Sequence, residues 1–327
     1  MNIALLAENL SSPPILFFLL GILARLVKSD LEFPQPLPKF FSYYLLLAIG
    51  FKGGMALHGA TLTAQVWGAL TFAVLLSAIM PCGAFFILRK RLGTADAAAL
   101  AAAYGSISAV TFVTGIAFLN ARDVPYGGHM VAAMALMESP AIVVGLLLAR
   151  LGGKKHSDLV ERRPFGLGSI FHEAFFNGSV FLLLGSLAIG WIAGGKAENL
   201  MPFTHEIFYG MLCFFLCDMG LVTARRFDAL KKAGLFAIGF AILFPLFGAV
   251  LALGGALALD LEPGNAFLLV LLGASASYIA VPATFRIALP EANPSLYLPL
   301  ALGVTFPFNI TIGLPVYFAI IELLTAP

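Results

Sequence analysis

Long runs of apolar residues, separated by short polar stretches, dominate this chain. A membrane-spanning helix needs about 20 predominantly apolar residues, and ten segments of the chain have this character. The segments are 13–28, 38–57, 66–88, 97–118, 127–150, 169–193, 204–223, 233–258, 266–288 and 296–323. The pattern therefore predicts an all-α integral membrane protein with ten transmembrane helices.

The positions of the basic residues predict how these segments are oriented. Of the 19 Lys and Arg residues, 16 lie in or beside the connections that follow segments 1, 3, 5, 7 and 9. The other connections hold only Arg122 and Lys196, and Lys52 lies inside segment 2. Because Lys and Arg concentrate on the cytoplasmic side of a membrane, we expect a protein of the plasma (inner) membrane with both termini outside the cytoplasm.

The composition excludes several classes of protein. The chain has 327 residues, of which 60% are hydrophobic and 11% charged, and its mean hydropathy is +0.97. A soluble domain has about 25% charged residues, so a soluble enzyme is excluded. A net charge of +2 without a basic, aromatic surface argues against nucleic-acid binding. No paired catalytic groups appear, so we predict neither enzymatic activity nor a cofactor other than a sodium ion.

The two halves of the chain resemble each other. Gly105 matches Gly273 at a spacing of 168 residues, and Pro140 matches Pro307 at a spacing of 167. Each half contains five segments, and an odd number of segments reverses the direction of the chain. We therefore predict two inverted repeats, 9–151 and 169–324, joined by a cytoplasmic linker at 152–168. Inverted repeats of this kind are typical of secondary transporters.

Segments 4 and 9 carry polar residues near their centres, which predicts that both helices are broken there. Ser106 and Ser108 are two residues apart, as are Ser275 and Ser277. Residues with this spacing point the same way in extended backbone but not in a helix. Pro282 removes a backbone donor and is expected to push the preceding residue away from helical angles. We expect the two broken helices to cross.

Such breaks can bind ions. Half-helix amide ends favour a small anion, and unwound carbonyls and hydroxyls favour a cation such as sodium. The candidate anion-binding residues are Gly105, Ser106, Ser108, Thr111, Ser275, Ser277 and Tyr278. The candidates for a coupling cation are Glu138, Thr284 and Asn309. The alternative is that the Ser and Thr residues bond to their own helices or pack against neighbours.

Three charged residues fall within the predicted spans, where charge is costly and is usually paired or functional. Glu138 lies near the middle of segment 5 and could take up a cation or a proton, or bond to a neighbouring helix as a protonated carboxyl. Lys52 and Asp218 occupy equivalent places in the two repeats. We expect a mutual salt bridge between them; alternatively, Lys52 supplies positive charge near the anion path.

Several motifs resemble those of the sodium-dependent bicarbonate transporters of cyanobacteria. They are ASASYIAVPATFRIALPEANPSLY (274–297), GSISAVTF (105–112), MESPA (137–141) and FKGGM (51–55). The similarity extends from about 13 to 323. It implies gate helices 1, 2, 6 and 7, core helices 3–5 and 8–10, and bicarbonate and sodium bound where helices 4 and 9 cross. It also implies a homotrimer and a PII-like regulator docked on the cytoplasmic face.

The chain departs from the family pattern at informative positions. Tyr278 stands where the family has an acidic residue, Lys52 replaces a threonine or similar polar residue, and Glu138 replaces an aspartate. The 152–168 connection is also shorter than in regulated members. We predict cation-coupled transport of a small anion, with bicarbonate first. Sodium, a proton or the fixed charge of Lys52 could balance that anion. The alternatives are an uncoupled anion channel and a non-transporting receptor or scaffold on the same fold.

Overall fold

The computed structural model describes residues 3–34, 36–58, 61, 63–152 and 178–325, and this part of the chain is helical without strands. The first seven helices are α1 (Ile3–Leu10), α2 (Pro13–Leu26), α3 (Pro36–Leu57), α4 (Ala64–Leu88), α5 (Thr94–Gly105), α6 (Ala109–Asn120) and α7 (His129–Gly152). The next five are α8 (Gly178–Ala193), α9 (Phe208–Arg225), α10 (Phe227–Ala258), α11 (Pro263–Gly273) and α12 (Ala280–Ala288).

Two connections contain less regular helix. A 3₁₀ helix (Gly194–Leu200) and a π-helical turn (Pro202–Glu206) lead from α8 to α9. The last segment, Pro294–Thr325, consists of α13 (Pro294–Leu300), α14 (Phe306–Phe308) and α15 (Leu314–Thr325), joined by π-helical turns at Ala301–Thr305 and Asn309–Gly313. Single π turns within α-helices are frequent near functional sites.

The described helices are long and apolar enough for a multi-pass membrane protein. Seven helical stretches could each cross a membrane, and some of them join neighbouring helices, such as α5 with α6. Helices α1 and α2, bent by 60°, together could form an eighth span. Gly178–Ala193 and Pro263–Gly273 are shorter apolar helices. The first lies in the predicted segment 6, and the second overlaps the start of the predicted segment 9. The all-α membrane class is confirmed, whereas the ten-span topology stays a prediction. Residues 153–177, which include nearly all of the predicted linker, lie outside the described residues.

Helices α2 and α9 pack against each other through glycines. A Cβ atom at Gly21 would lie 2.0 Å from the backbone oxygen of Cys217. A Cβ atom at Gly220 would lie 2.1 Å from the backbone oxygen of Phe18. The absence of side chains at these two positions lets the backbones approach closely, as is common between membrane helices.

Helices α3 and α8 meet in the same way. A Cβ atom at Gly54 would lie 2.0 Å from the backbone oxygen of Leu187, and one at Gly190 would lie 2.2 Å from that of Phe51. These two helix pairs, α2–α9 and α3–α8, form one part of the bundle.

The other part of the bundle encloses the broken helices. Helix α5 packs against α4 and α7, and every residue from Ala97 to Gly105 is buried. Six of the seven residues in the run Ala97–Ala103 are alanines, whose small side chains let neighbouring helices approach. Helix α11 packs against α10 in a similar position and is likewise buried along most of its length.

Both predicted helix breaks are present. Helix α5 ends at Gly105, and Ser106 (φ −85°, ψ −178°) and Ser108 (φ −105°, ψ 106°) adopt extended conformations before α6 begins. The second break occupies 274–279, between α11 and α12, and is longer than the first break at 106–108.

The role predicted for Pro282 is wrong. Pro282 and the residue before it, Val281, both lie in the first turn of α12. A first-turn N–H has no partner within its helix, so a proline is tolerated there. The chain leaves the helical path earlier, after Gly273, and the second break therefore does not depend on the proline.

Candidate functional site

The two helix breaks are joined by direct hydrogen bonds. The backbone N–H of Ser277 donates to the carbonyl oxygen of Ala103 at 2.8 Å. The backbone N–H of Ser108 donates to Ser275 Oγ at 2.9 Å, and that hydroxyl donates in turn to the carbonyl oxygen of Leu272 at 3.0 Å. Each break therefore satisfies backbone groups that the other exposes.

Two serines stabilise the half-helices that follow the breaks. Ser108 Oγ accepts a hydrogen bond from the N–H of Thr111 at 3.1 Å, which caps α6. Ser277 Oγ accepts one from the N–H of Val281 at 3.3 Å in the first turn of α12. The remaining first-turn amides have no partner within their own helices and carry partial positive charge.

A cavity lies beside this crossing and receives the N-termini of both half-helices. Helices α3, α7 and α8 supply its other walls. Its described lining residues are Ser42, Leu46, Ile107, Ser108, Ala109, Met134, Glu138, Ser179, Leu183, Ser277, Tyr278, Ile279 and Ala280. Among these residues the polar groups are hydroxyls and the carboxyl of Glu138, and none is Lys, Arg or His.

Tyr278 lines the cavity and carries a buried hydroxyl. Tyr278 is only 8% exposed, and its hydroxyl has no hydrogen-bond partner among the described residues. The Tyr278 ring is held edge-on against Phe306, with 5.7 Å between the ring centroids. A buried polar group without a partner costs free energy, which a bound solute or water would recover.

Three of the seven predicted anion-binding residues line the cavity: Ser108, Ser277 and Tyr278. Four do not: Gly105, Ser106, Thr111 and Ser275. Ser106 Oγ donates to the carbonyl oxygen of Glu138 at 3.3 Å. A Cβ atom at Gly105 would lie 2.2 Å from Pro81 Cγ, so this position packs against α4. Of each serine pair, one member lines the cavity and caps the following half-helix, whereas the other does not line the cavity and donates its hydroxyl to a backbone carbonyl.

The three cation candidates have different surroundings. Asn309 is fully buried; its amide nitrogen donates to the carbonyl oxygen of Ala274 at 2.7 Å, and its amide oxygen accepts from Tyr317 OH at 3.1 Å. Asn309 therefore braces the start of the second break. Thr284 is buried in α12 and does not line the cavity. Glu138 is half-buried and does line it.

The predicted salt bridge between Lys52 and Asp218 is not formed. Both residues lie in the described part of the chain, and no ion pair within 4.0 Å joins them. Lys52 Nζ instead lies 5.6 Å from the ring centroid of Phe208, at the start of α9. Asp218 is ten residues further along that helix, a distance of about 15 Å. Equivalent positions in the repeats therefore do not bring these two side chains together.

Sequence reasoning missed two hydroxyls of the cavity. Ser42 lies in α3 and Ser179 in α8, each within the first turns of its helix. Both are single polar residues in apolar segments. That pattern alone does not distinguish a cavity-lining serine from one that packs against a neighbouring helix.

A comparison with protein-family models matches residues 13–322 to the Na⁺-dependent bicarbonate transporter superfamily. The chain belongs to this superfamily. The match includes both helix breaks and every described residue of the cavity, and it confirms the resemblance found in the sequence motifs. A search of curated proteins finds no match. Membership in the Na⁺-dependent bicarbonate transporter superfamily, together with the apolar helices, supports a multi-pass protein of membrane transport.

Proposed function

We propose that the protein is a secondary active transporter that carries bicarbonate across the plasma (inner) membrane together with a cation, with sodium as the coupling ion. One observation carries the proposal: the hydrogen-bonded breaks present the N-termini of α6 and α12 to one cavity. Helix N-termini bind small anions because their amides are free and positively polarised. Family membership supports bicarbonate as that anion.

Equivalent contacts support the inverted five-plus-five repeat. Gly21 of segment 1 and Gly190 of segment 6 each lie against a backbone of the other repeat, as do Gly54 of segment 2 and Gly220 of segment 7. The packing of α4 on α5 is matched by that of α10 on α11. We assign α2, α3, α8 and α9 to the gate domain and α4–α7 with α10–α15 to the core domain.

The position of the cavity fits alternating access by movement of the core against the gate. Its walls come from α3 and α8 of the proposed gate, and from α7 and both breaks of the proposed core. A solute at this boundary would be exposed to one side or the other as the two domains slide, which is the general behaviour of repeat-based transporters.

Close packing at one end of the bundle suggests which side is open. A Cβ atom at Gly53, near the end of α3, would lie 2.8 Å from Val131 of α7. A Cβ atom at Gly128 would lie 2.2 Å from the carbonyl oxygen of Gly53. The cavity lies towards the other end, at Ser42 and Ser179. With the orientation predicted from the basic residues, this conformation faces the cytoplasm.

The coupling cation is proposed to bind near the same breaks. Within the described residues no three or more His, Cys, Asp or Glu side chains form a group. Sodium in broken-helix transporters is held by unwound carbonyls and half-helix C-terminal ends, which α5 and α11 provide at Gly105 and Gly273. A homotrimer and a PII-like cytoplasmic regulator are further proposals, drawn from the family resemblance.

Uptake of radiolabelled bicarbonate into proteoliposomes tests the proposal. We expect saturable uptake that is faster with an inward sodium gradient than with potassium in place of sodium. A proton gradient applied without sodium would show whether protons can drive uptake instead. The Ser277→Leu variant should lose uptake, whereas Ser295→Leu, at an exposed position outside the cavity, should retain it. Absence of uptake under every gradient would refute transport, and non-saturating, gradient-independent flux would favour a channel.

A further inference from the structure

Glu138 places a carboxyl group in the cavity that is proposed to bind an anion. It shares the cavity with the hydroxyls of Ser108, Ser277 and Tyr278, and none of the described lining residues is a cation. In a site of low dielectric, an ionised carboxylate strongly disfavours a second negative charge nearby. The free-energy cost of placing an anion beside the carboxylate is reduced when the anion carries an O–H group that donates a hydrogen bond to it. Charge-assisted hydrogen bonds of this kind are stronger than those between neutral groups.

We propose that Glu138 is a specificity-determining residue that accepts a hydrogen bond from the O–H of the transported anion. The site then selects protonated oxyanions, such as bicarbonate, over anions that can only accept hydrogen bonds, such as nitrate. This inference rests on the proposed function and adds to it a chemical criterion for the substrate.

The rest of the cavity provides the complementary donors. Ala109 and Ala280, the first residues of α6 and α12, line the cavity, so the first turns of both helices lie beside it. The Tyr278 hydroxyl has no partner among the described residues. Bicarbonate offers several oxygen acceptors and one donor. A site with donors at the half-helix ends and an acceptor at Glu138 matches that distribution.

A protonated Glu138 would lead to the opposite selectivity. Its O–H would donate a hydrogen bond, so the site would accept nitrate as readily as bicarbonate. Nitrate is a suitable probe because it is planar, trigonal and singly charged like bicarbonate but has no hydrogen to donate. Comparing these two anions therefore isolates the hydrogen bond to Glu138 from charge and shape.

Competition binding on the purified full-length protein tests the inference. Radiolabelled bicarbonate would be bound at constant sodium and at mildly alkaline pH, where bicarbonate is the main species, and displaced by unlabelled bicarbonate or nitrate. Hydrogen bonds to charged groups correspond to a preference of about 10- to 100-fold. We expect the wild type to prefer bicarbonate by that factor. This measurement needs no variant and is unaffected by misfolding.

The Glu138→Gln variant tests whether this side chain causes the preference for bicarbonate over nitrate. A glutamine amide both donates and accepts, so it can bond to nitrate as well as to the O–H of bicarbonate. We expect the preference to fall at least severalfold, mainly because nitrate binds more tightly. The control is Glu322→Gln, at an exposed position in the last helix outside the cavity, which should keep the wild-type preference.

The possible results separate this inference from the proposed function. Equal binding of nitrate and bicarbonate to the wild type would overturn the inference. An unchanged preference in Glu138→Gln would show that another group is responsible and would also overturn it. Both results are compatible with bicarbonate transport. Failure of the wild type to bind bicarbonate would instead refute the proposed function, and the inference with it.

Discussion

The backbone N–H of Ser108 donates a 2.9 Å hydrogen bond to Ser275 Oγ, although the two residues are 167 positions apart in the chain. The bond joins the two helix breaks, one from each half of the sequence. Both residues are buried, so water does not replace this bond easily. The crossing is therefore a structural unit whose parts depend on each other.

Ser275→Ala should destabilise this crossing. The substitution leaves the buried Ser108 amide without an acceptor, which costs about 1–3 kcal/mol. We expect a lower unfolding temperature in detergent and slower bicarbonate uptake. Ser295→Ala removes an exposed hydroxyl and should change neither value. An unfolding temperature for Ser275→Ala equal to that of the wild type would show that the bond contributes nothing to stability.

Asn309 should contribute to stability rather than to cation binding. Asn309→Leu leaves the carbonyl of Ala274 and the hydroxyl of Tyr317 without their partner, at about 1–3 kcal/mol for each buried group. Tyr317→Phe removes only the second bond and should destabilise less. Thermal unfolding would rank the two variants. A stable Asn309→Leu protein with normal uptake that no longer responds to sodium would instead identify Asn309 as a cation ligand.

The contact between α3 and α8 should not tolerate a methyl group. A Cβ atom at Gly54 would lie 2.0 Å from the carbonyl oxygen of Leu187, so Gly54→Ala forces the helices apart at a cost of about 1–3 kcal/mol. Gly185→Ala on α8 is the matched control because nothing lies within 4 Å of its added Cβ. The control should be neutral or slightly stabilising, since alanine favours helix. Equal unfolding temperatures for both variants would contradict this packing.

Chemical labelling should reveal the orientation predicted from the basic residues. On a background with Cys82, Cys213 and Cys217 replaced by serine, Lys196→Cys should react in intact cells with a membrane-impermeant maleimide. Lys90→Cys should react only after the membrane is opened. Both lysines are exposed, so the comparison reports the side of the membrane and not burial. The reverse labelling pattern would mean that the cavity faces the outside of the cell and not the cytoplasm.

The sequence alone determined the membrane class, the places of the two helix breaks and the family. A soluble protein cannot bury so many long apolar runs, so they predict membrane-spanning helices. Serines spaced two apart in such a run predict extended backbone. The motifs around these breaks carried the resemblance that the match over residues 13–322 confirms. These features are local, so the order of residues is enough to predict them.

The tertiary structure decided which side chains share a site. Ser108 lines the cavity while Ser106 bonds to the Glu138 carbonyl, and Lys52 lies over Phe208 instead of pairing with Asp218. Such contacts depend on how far each helix is rotated about its axis and displaced along its neighbours. Packing between distant segments sets both quantities, and neither hydrophobic periodicity nor the equivalence of the repeats contains them.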